Sequence, residues 1–192
     1  MILRRFTAAD VDHLVALDRD PDVMRFINGG RPTPRSTVEN EMLPHLLRYY
    51  TQPGGFGYWA AVDRATGLFI GWFYLRPAGD AVDADPELGY RLRRSVWRKG
   101  YATEGCLAIL RKAFTDLGCR RVVAEMLFVN RGARRVMEKC GLRQVRTYTS
   151  DWPDDFDGAE LGDVEYAAEG DTWLTWADRA APELATHRGW AS

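Results

Sequence analysis

The chain has 192 residues, 46% of them hydrophobic and 28% charged, which is the composition of a single globular domain and excludes disordered, collagen-like and low-complexity classes. A formal net charge of −1 argues against a generic nucleic-acid binder, and no apolar run approaches the ~18–20 residues that a membrane span needs. That total hides a segregation of charge: residues 91–146 hold 15 Lys/Arg against 4 Asp/Glu, and residues 147–192 hold 2 against 11.

Ile2–Phe6 reads as a short strand. Thr7 followed by Asp10 has the spacing of a capping box, and Val11, Leu14, Val15 and Asp18 then form a helical stripe with a polar end. Ser36 with Glu39 repeats the capping spacing. Val38, Met42, Leu46 and Tyr50 continue it as a helix, which Pro44 is expected to kink or divide. Asn28–Pro34 reads as a loop. Gly57–Val62 and Leu68–Leu75 are rich in aromatic and β-branched residues. The turn-forming Asp63–Gly67 between them predicts a β-hairpin.

Pro77–Pro86 is a polar loop, Glu87–Leu92 a strand, and Ala102–Leu117 a helix stopped by Gly118. Arg121–Val129 is the most strand-like run. Gly132–Cys140 is a short helix with Val136, Met137 and Cys140 facing inward. Leu142–Thr149 and Val164–Trp176 are read as late strands. Strands first and then β-α-β-α-β predict one α+β domain, residues 1–192, built on a mixed sheet. Cys106, Cys119 and Cys140 form no paired motif, and with no export signal at the start they read as reduced thiols of a cytoplasmic protein. His13, His45 and His187 lack ligand spacing, so no metal is expected.

Chemistry concentrates in Leu92–Thr103, which leaves a strand, passes through Arg93, Arg94, Arg98, Lys99 and Gly100, and opens a helix at Tyr101, Ala102 and Thr103. A helix N-terminus presents unpaired N–H groups and a positive dipole end, and a glycine there lets a pyrophosphate come close. Further along stands Asn130-Arg131-Gly132-Ala133-Arg134-Arg135, running on to Gly141-Leu142. Together with Glu87-Leu88-Gly89-Tyr90, these segments resemble the GCN5-related N-acetyltransferase (GNAT) superfamily, and within it the RimJ/RimL-like ribosomal-protein N-terminal acetyltransferase branch. Trp97 stands where the superfamily pattern has Gln or Arg, as it does in that branch. Ala133 stands where many members carry a serine proposed to protonate the leaving thiolate.

The resemblance implies a mixed, mostly antiparallel sheet flanked by helices and splayed between Glu87–Arg93 and Arg121–Val129. It implies acetyl-CoA as co-substrate in that splay. The backbone of Leu92, Arg93 and Arg94 would pair with the pantetheine arm. The N–H groups of Arg98, Lys99, Gly100, Tyr101, Ala102 and Thr103 would cradle the pyrophosphate. Asn130 would bond the pantetheine, and Arg134 or Arg135 would meet adenosine phosphates. The implied reaction is direct attack of a primary amine, on a protein N-terminus or a small molecule, with a possible homodimer as the assembly. Loss of the serine at Ala133 leaves a second reading open, a non-catalytic acyl-CoA-binding domain. Glu87 is the leading candidate for the base and Glu125 the second. Tyr148 and Tyr166 are weaker candidates for the thiolate acid, and Glu104 reads as structural. The acids of residues 151–165, beside Trp152 and Phe156, form a candidate rim for a cationic amine. Trp59, Trp72, Phe73 and Trp97 are expected in the sheet core.

Overall fold

The computed structural model describes residues 1–78, 84–153, 156 and 158–180. Its order is β1 (Ile2–Arg4), α1 (Val11–Asp18), α2 (Pro21–Asn28), α3 (Arg35–Thr37), α4 (Leu43–Arg48), β2 (Gly57–Val62), β3 (Phe69–Pro77) and β4 (Pro86–Leu92). Then follow α5 (Tyr101–Arg111), β5 (Arg121–Leu127), α6 (Arg131–Lys139), β6 (Arg143–Tyr148), β7 (Asp163–Glu169) and α7 (Gly170–Ala180). The strands form one seven-stranded sheet in the order β1-β2-β3-β4-β5-β7-β6. Every neighbouring pair is antiparallel except β4 with β5.

Two apolar layers sandwich the sheet. Cys106, Ile109 and Leu110 of α5, Met137 of α6 and Trp173 and Ala177 of α7 pack with Phe73, Leu75, Leu88, Val122 and Val164 on one face. Leu14 and Leu17 of α1, Val23 of α2, and Val38, Leu43 and Leu46 pack with Tyr58, Ala60, Phe69 and Trp72 on the other. Alternation along the strands assigns each residue to a face. Trp59, Trp72 and Phe73 are core, as expected, and Phe69 is buried with them.

Some local expectations hold and others change. The capping box at Thr7 holds: the Asp10 carboxylate accepts from the Thr7 N–H at 2.8 Å. The one at Ser36 does not, because α3 begins after Pro34, and Glu39 instead accepts from Arg35 at 2.8 Å. Pro44 stands where the helix is divided, as expected, in the first turn of α4. A π-helical stretch, Val38–Met42, joins α3 to α4, and the Leu43 N–H reaches back to the Val38 carbonyl. Widening the turn there makes room for a proline ring that would meet the carbonyl four residues back in a regular helix. The sequence reading leaves residues 19–27 unassigned, yet α2 forms there: Asp20 caps the Asp22 N–H, Pro21 opens the helix, and Gly29 closes it at φ 75°. Val164–Trp176 is half strand and half helix. It turns at Glu169–Gly170, where the Gly170 N–H donates to the Arg120 carbonyl.

Candidate active site

β4 joins β5 at a single registered pair among the described residues, Glu87↔Val123. On their outer sides the same strands are fully laddered, with seven pairs from Gly71↔Leu92 to Pro77↔Pro86 and seven from Arg121↔Glu169 to Leu127↔Asp163. The sheet is therefore two lobes hinged at one rung and parting toward Leu92 and Leu127. The Arg93 N–H donates to the Ile70 carbonyl at 2.9 Å, which fixes the alternation along β4. Odd positions bond β3, and Leu88, Tyr90 and Leu92 turn their peptide groups toward the opening. Trp97 Nε1 donates to the Leu92 carbonyl at 2.9 Å, so the Leu92 N–H is the group left facing the gap at that end.

The loop after β4 prepares a second feature. A short 3₁₀ turn, Arg94–Val96, leads to Trp97, then to Arg98 at φ 61° and Gly100 at φ 88°, and α5 opens at Tyr101. Arg98 is the one described non-glycine residue with positive φ. A side-chain carbon built on Gly100 would meet nothing within 4 Å, so the backbone there is open to a bulky anion. The first N–H groups of α5 have no partner within the helix, and Arg98 and Lys99 are exposed beside them. Left-handed residues next to a helix start form the concave backbone that phosphate groups fit. Gly105 seats α5 on the sheet: a side-chain carbon there would lie 2.1 Å from the Phe73 ring. Tyr101 donates its hydroxyl to Asp63 in the β2–β3 turn, tying the start of the helix to the hairpin.

The other predicted contacts are distributed as follows. Arg93 stacks its guanidinium over Phe69 at 5.6 Å, and Arg94 pairs with Asp22 of α2. Both side chains thus turn to the α1–α2 side, away from the helix start. Asn130 Oδ1 accepts from the Ala133 N–H at 3.0 Å and caps α6. Arg134 is engaged: it lies over Phe128 at 4.1 Å and donates to the Tyr166 hydroxyl at 3.3 Å and the Phe128 carbonyl at 3.2 Å. Arg135 is exposed. Glu104 pairs with the Met1 ammonium at 2.5 Å.

Both candidate bases lie on the face opposite α5. Glu87 accepts from the Tyr74 hydroxyl at 2.5 Å through one oxygen and pairs with Arg76 at 2.6 Å through the other, with 13% of its side chain exposed. Burial, with the Glu87 carboxylate beside it, pushes the Tyr74 hydroxyl far up, so it stays a hydrogen-bond donor. Glu125 is exposed, with its carboxylate beside the Tyr148 hydroxyl and the Arg146 guanidinium. Burial and that carboxylate raise Tyr148 well above an ordinary phenol. Tyr166 is buried, donates to Glu138 at 3.0 Å and belongs to the core.

The acidic rim is only partly as expected. Asp163 is buried and accepts from Trp152 Nε1 at 2.9 Å, and Glu165 is buried between Arg121 and Arg146. These two are paired and do not line a rim. Asp151 and Glu160 are exposed, while Asp154, Asp155 and Asp157 lie outside the described residues. Phe156 and Gly158 instead make contacts on both lobes. The Phe156 ring lies tilted against Trp152 with centroids 4.6 Å apart and packs beside Gly29 at the end of α2, and Gly158 sits against Val129 after β5.

Sequence reasoning missed the partners of Glu87. Tyr74 and Arg76 stand two apart on β3, so they share its face, but their register against Glu87 needs the β3–β4 ladder. It also misplaced Trp97, which is 43% exposed at the mouth of the phosphate-type loop and not in the core.

Residues 1–143 match the family model described as the acetyltransferase (GNAT) domain. The FsC-acetyl coenzyme A-N(2)-transacetylase of Aspergillus fumigatus is 34% identical over 166 residues, 82% of this chain and 68% of that protein. Solved acetyltransferase structures share the fold. A GNAT-family acetyltransferase from Bacillus anthracis superposes with a TM-score of 0.72 at 20% identity, over 88% of this chain and 94% of the other. Spermidine N-acetyltransferase from Vibrio cholerae, in complex with CoA and spermine, superposes with a TM-score of 0.72 at 17% identity, over 90% and 96%.

Proposed function

The chain belongs to the acetyltransferase (GNAT) family and uses acetyl-CoA as co-substrate, and from that premise we propose that it acetylates a primary amine of a small molecule. The observation that carries this reading is a bridge between the two lobes: Phe156 packs beside Gly29 at the end of α2. An extended polypeptide needs an open groove beside the reacting amine, whereas a compact acceptor fits under such a bridge. The Aspergillus relative, named an acetyl coenzyme A-N(2)-transacetylase, supports transfer to a nitrogen acceptor. Trp97 supports placement in the RimJ/RimL-like branch of the family on sequence pattern.

Acetyl-CoA supplies a thioester, and this chain's residues do the rest. The N–H groups of Gly100, Tyr101, Ala102 and Thr103 hold the pyrophosphate, aided by Arg98 and Lys99. Arg135 meets the adenosine end. The backbone of β4 from Tyr90 to Leu92 receives the pantetheine arm, and the Leu92 N–H polarises the thioester oxygen. Asn130, its oxygen committed to Ala133, offers its amide N–H₂ to the same arm. An alkylamine is protonated at neutral pH, with a pKa near ~10.4, so a proton must leave before attack. Glu125 takes that proton, and Glu87, held by Tyr74 and Arg76, fixes the polar floor of the acceptor side. Ala133 stands where a serine donor would be, so the proton for the leaving thiolate comes from solvent.

The test is a thiol-release assay with acetyl-CoA and succinyl-CoA against small amines, polyamines and N-terminal peptides. Turnover of small amines with acetyl-CoA is expected. Turnover confined to peptides would overturn the acceptor class, and turnover confined to succinyl-CoA would overturn the donor.

A further inference from the structure

Trp97 is out of place as a core residue. The residue is 43% exposed, yet its indole N–H is fixed to the Leu92 carbonyl at 2.9 Å. Exposing a tryptophan costs the burial that such a ring ordinarily contributes, so its position calls for a reason other than packing.

The reason lies in the backbone between β4 and α5. From Arg93 the chain makes one 3₁₀ turn, in which the Val96 N–H reaches the Arg93 carbonyl and the Trp97 N–H reaches the Arg94 carbonyl, both at 3.1 Å. It then enters two left-handed positions, Arg98 and Gly100, within three residues. A non-glycine residue in that region is uphill, so the loop holds this shape only if its ends are fixed. The exit is fixed by Tyr101 on Asp63. The entry is fixed by the Trp97 indole, which spans from the loop back to the last residue of β4.

We propose that Trp97 is a positioning residue for acetyl-CoA: its indole bond to Leu92 holds the 98–103 backbone in the shape that receives the pyrophosphate. It acts through the loop and needs no contact with the reacting atoms. This rests on the reading that the 98–103 backbone is where the pyrophosphate binds.

The proposal separates the two halves of the donor. Trp97→Phe keeps the ring and removes the N–H. Loss of one neutral hydrogen bond of about 1 kcal/mol corresponds to about fivefold in affinity. We therefore expect KM for acetyl-CoA and Kd for CoA, by calorimetry, to rise about fivefold with kcat within twofold. With S-acetylpantetheine, which has the thioester but no pyrophosphate, KM should change less than twofold. Equal losses with both donors would mean that the substitution damages the cleft generally and would overturn the proposal, as would unchanged acetyl-CoA binding. The underlying reading is tested separately by Gly100→Ala in the wild-type background. If that variant leaves CoA affinity unchanged while Trp97→Phe weakens it selectively, the cradle has been misplaced and Trp97 acts elsewhere. Thermal unfolding of each variant confirms that a folded protein is being compared.

Discussion

Arg91 on β4 and Asp18 at the end of α1 form a buried ion pair at 2.6 Å, with 13% and 1% of their side chains exposed. The second Asp18 oxygen accepts from Thr33 at 3.0 Å, and Arg91 stacks over Trp72 at 5.0 Å. One carboxylate thus ties the acceptor-side helices and the loop after α2 to the strand that borders the cleft. Removing one member leaves the other charged and buried, which costs about 3–5 kcal/mol. Asp18→Ala should lose that much in urea unfolding. Asp18→Leu with Arg91→Met should recover most of it, because replacing a whole buried pair by apolar groups is often neutral. A double variant no more stable than Asp18→Ala would show that the pair contributes more than charge balance.

Two glycines five residues apart should fail in opposite ways. At Gly105 an added carbon meets the Phe73 ring at 2.1 Å, so Gly105→Ala forces α5 off β3 and should cost about 3 kcal/mol by overpacking. At Gly100 nothing is in the way, but φ is 88°, and the left-handed penalty is about 1–2 kcal/mol. Gly100→Ala also places its methyl in the space assigned to the phosphates, so KM for acetyl-CoA should rise far more than stability falls. Denaturation curves and donor titrations of both variants give the comparison.

Much of this was legible from residue order, for stated reasons. The hairpin of β2 and β3, the loop from Trp97 to Gly100 and the N-cap at Asn130 are local patterns, decided within about ten residues. What stayed hidden depends on register or tertiary accommodation. Tyr74, Arg76 and Glu87 meet only once β3 is paired with β4. Asp18 reads as a polar helix end until Arg91 arrives from 73 positions away. Pro44 is a helix breaker by local rule, and the π-helical stretch before it is the accommodation that no local rule supplies. Asp163 and Glu165 look like a free acidic rim in sequence, but their partners, Trp152, Arg121 and Arg146, come from other elements. α2 is the exception: Asp20, Pro21 and Gly29 were local signals, overlooked beside the loop that follows.

Burial sets thiol reactivity. Cys106 is buried, and desolvation, with the Cys140 thiol beside it, pushes its thiol well above its ordinary value. Cys140 is buried as well, its Sγ directed at the Thr103 carbonyl at 3.6 Å. Cys119 is half-buried and also raised, by desolvation first. In the native state a disulfide-exchange reagent should label Cys119 slowly, and Cys106 and Cys140 only at the rate of unfolding. Fast labelling of either buried cysteine would mean that α5 opens locally from α6.

The Tyr101–Asp63 tie gives a pH signature. The Tyr101 hydroxyl, then the Thr66 and Ala65 donors, hold the Asp63 carboxyl down to about 2. The unfolded value is near ~3.9, so the folded state favours the ionised form. That contribution is complete above the unfolded value and is lost as pH falls through the folded one. Wild-type stability should decline between about pH 4 and pH 2, and Tyr101→Phe should decline less steeply over the same interval. Equal slopes would mean that the hydroxyl does not set the carboxyl's affinity for protons.

The two carboxylates on the acceptor face make the last distinction. Glu87 already has both oxygens engaged by Tyr74 and Arg76, whereas Glu125 is exposed beside Tyr148. A group that must take a proton from an incoming ammonium needs a free lone pair and access to it. Glu125→Gln should therefore lower kcat by about 10²- to 10⁴-fold, the range for a lost general base, and should remove the acidic limb of the kcat/KM profile. Glu87→Gln keeps the shape and one hydrogen-bond acceptor but breaks the ion pair with Arg76. It should lower turnover less and move the limb without removing it. If Glu87→Gln abolishes the limb and Glu125→Gln leaves it intact, the roles are reversed: the clamped carboxylate is the base, and its Tyr74 and Arg76 contacts must open during the reaction.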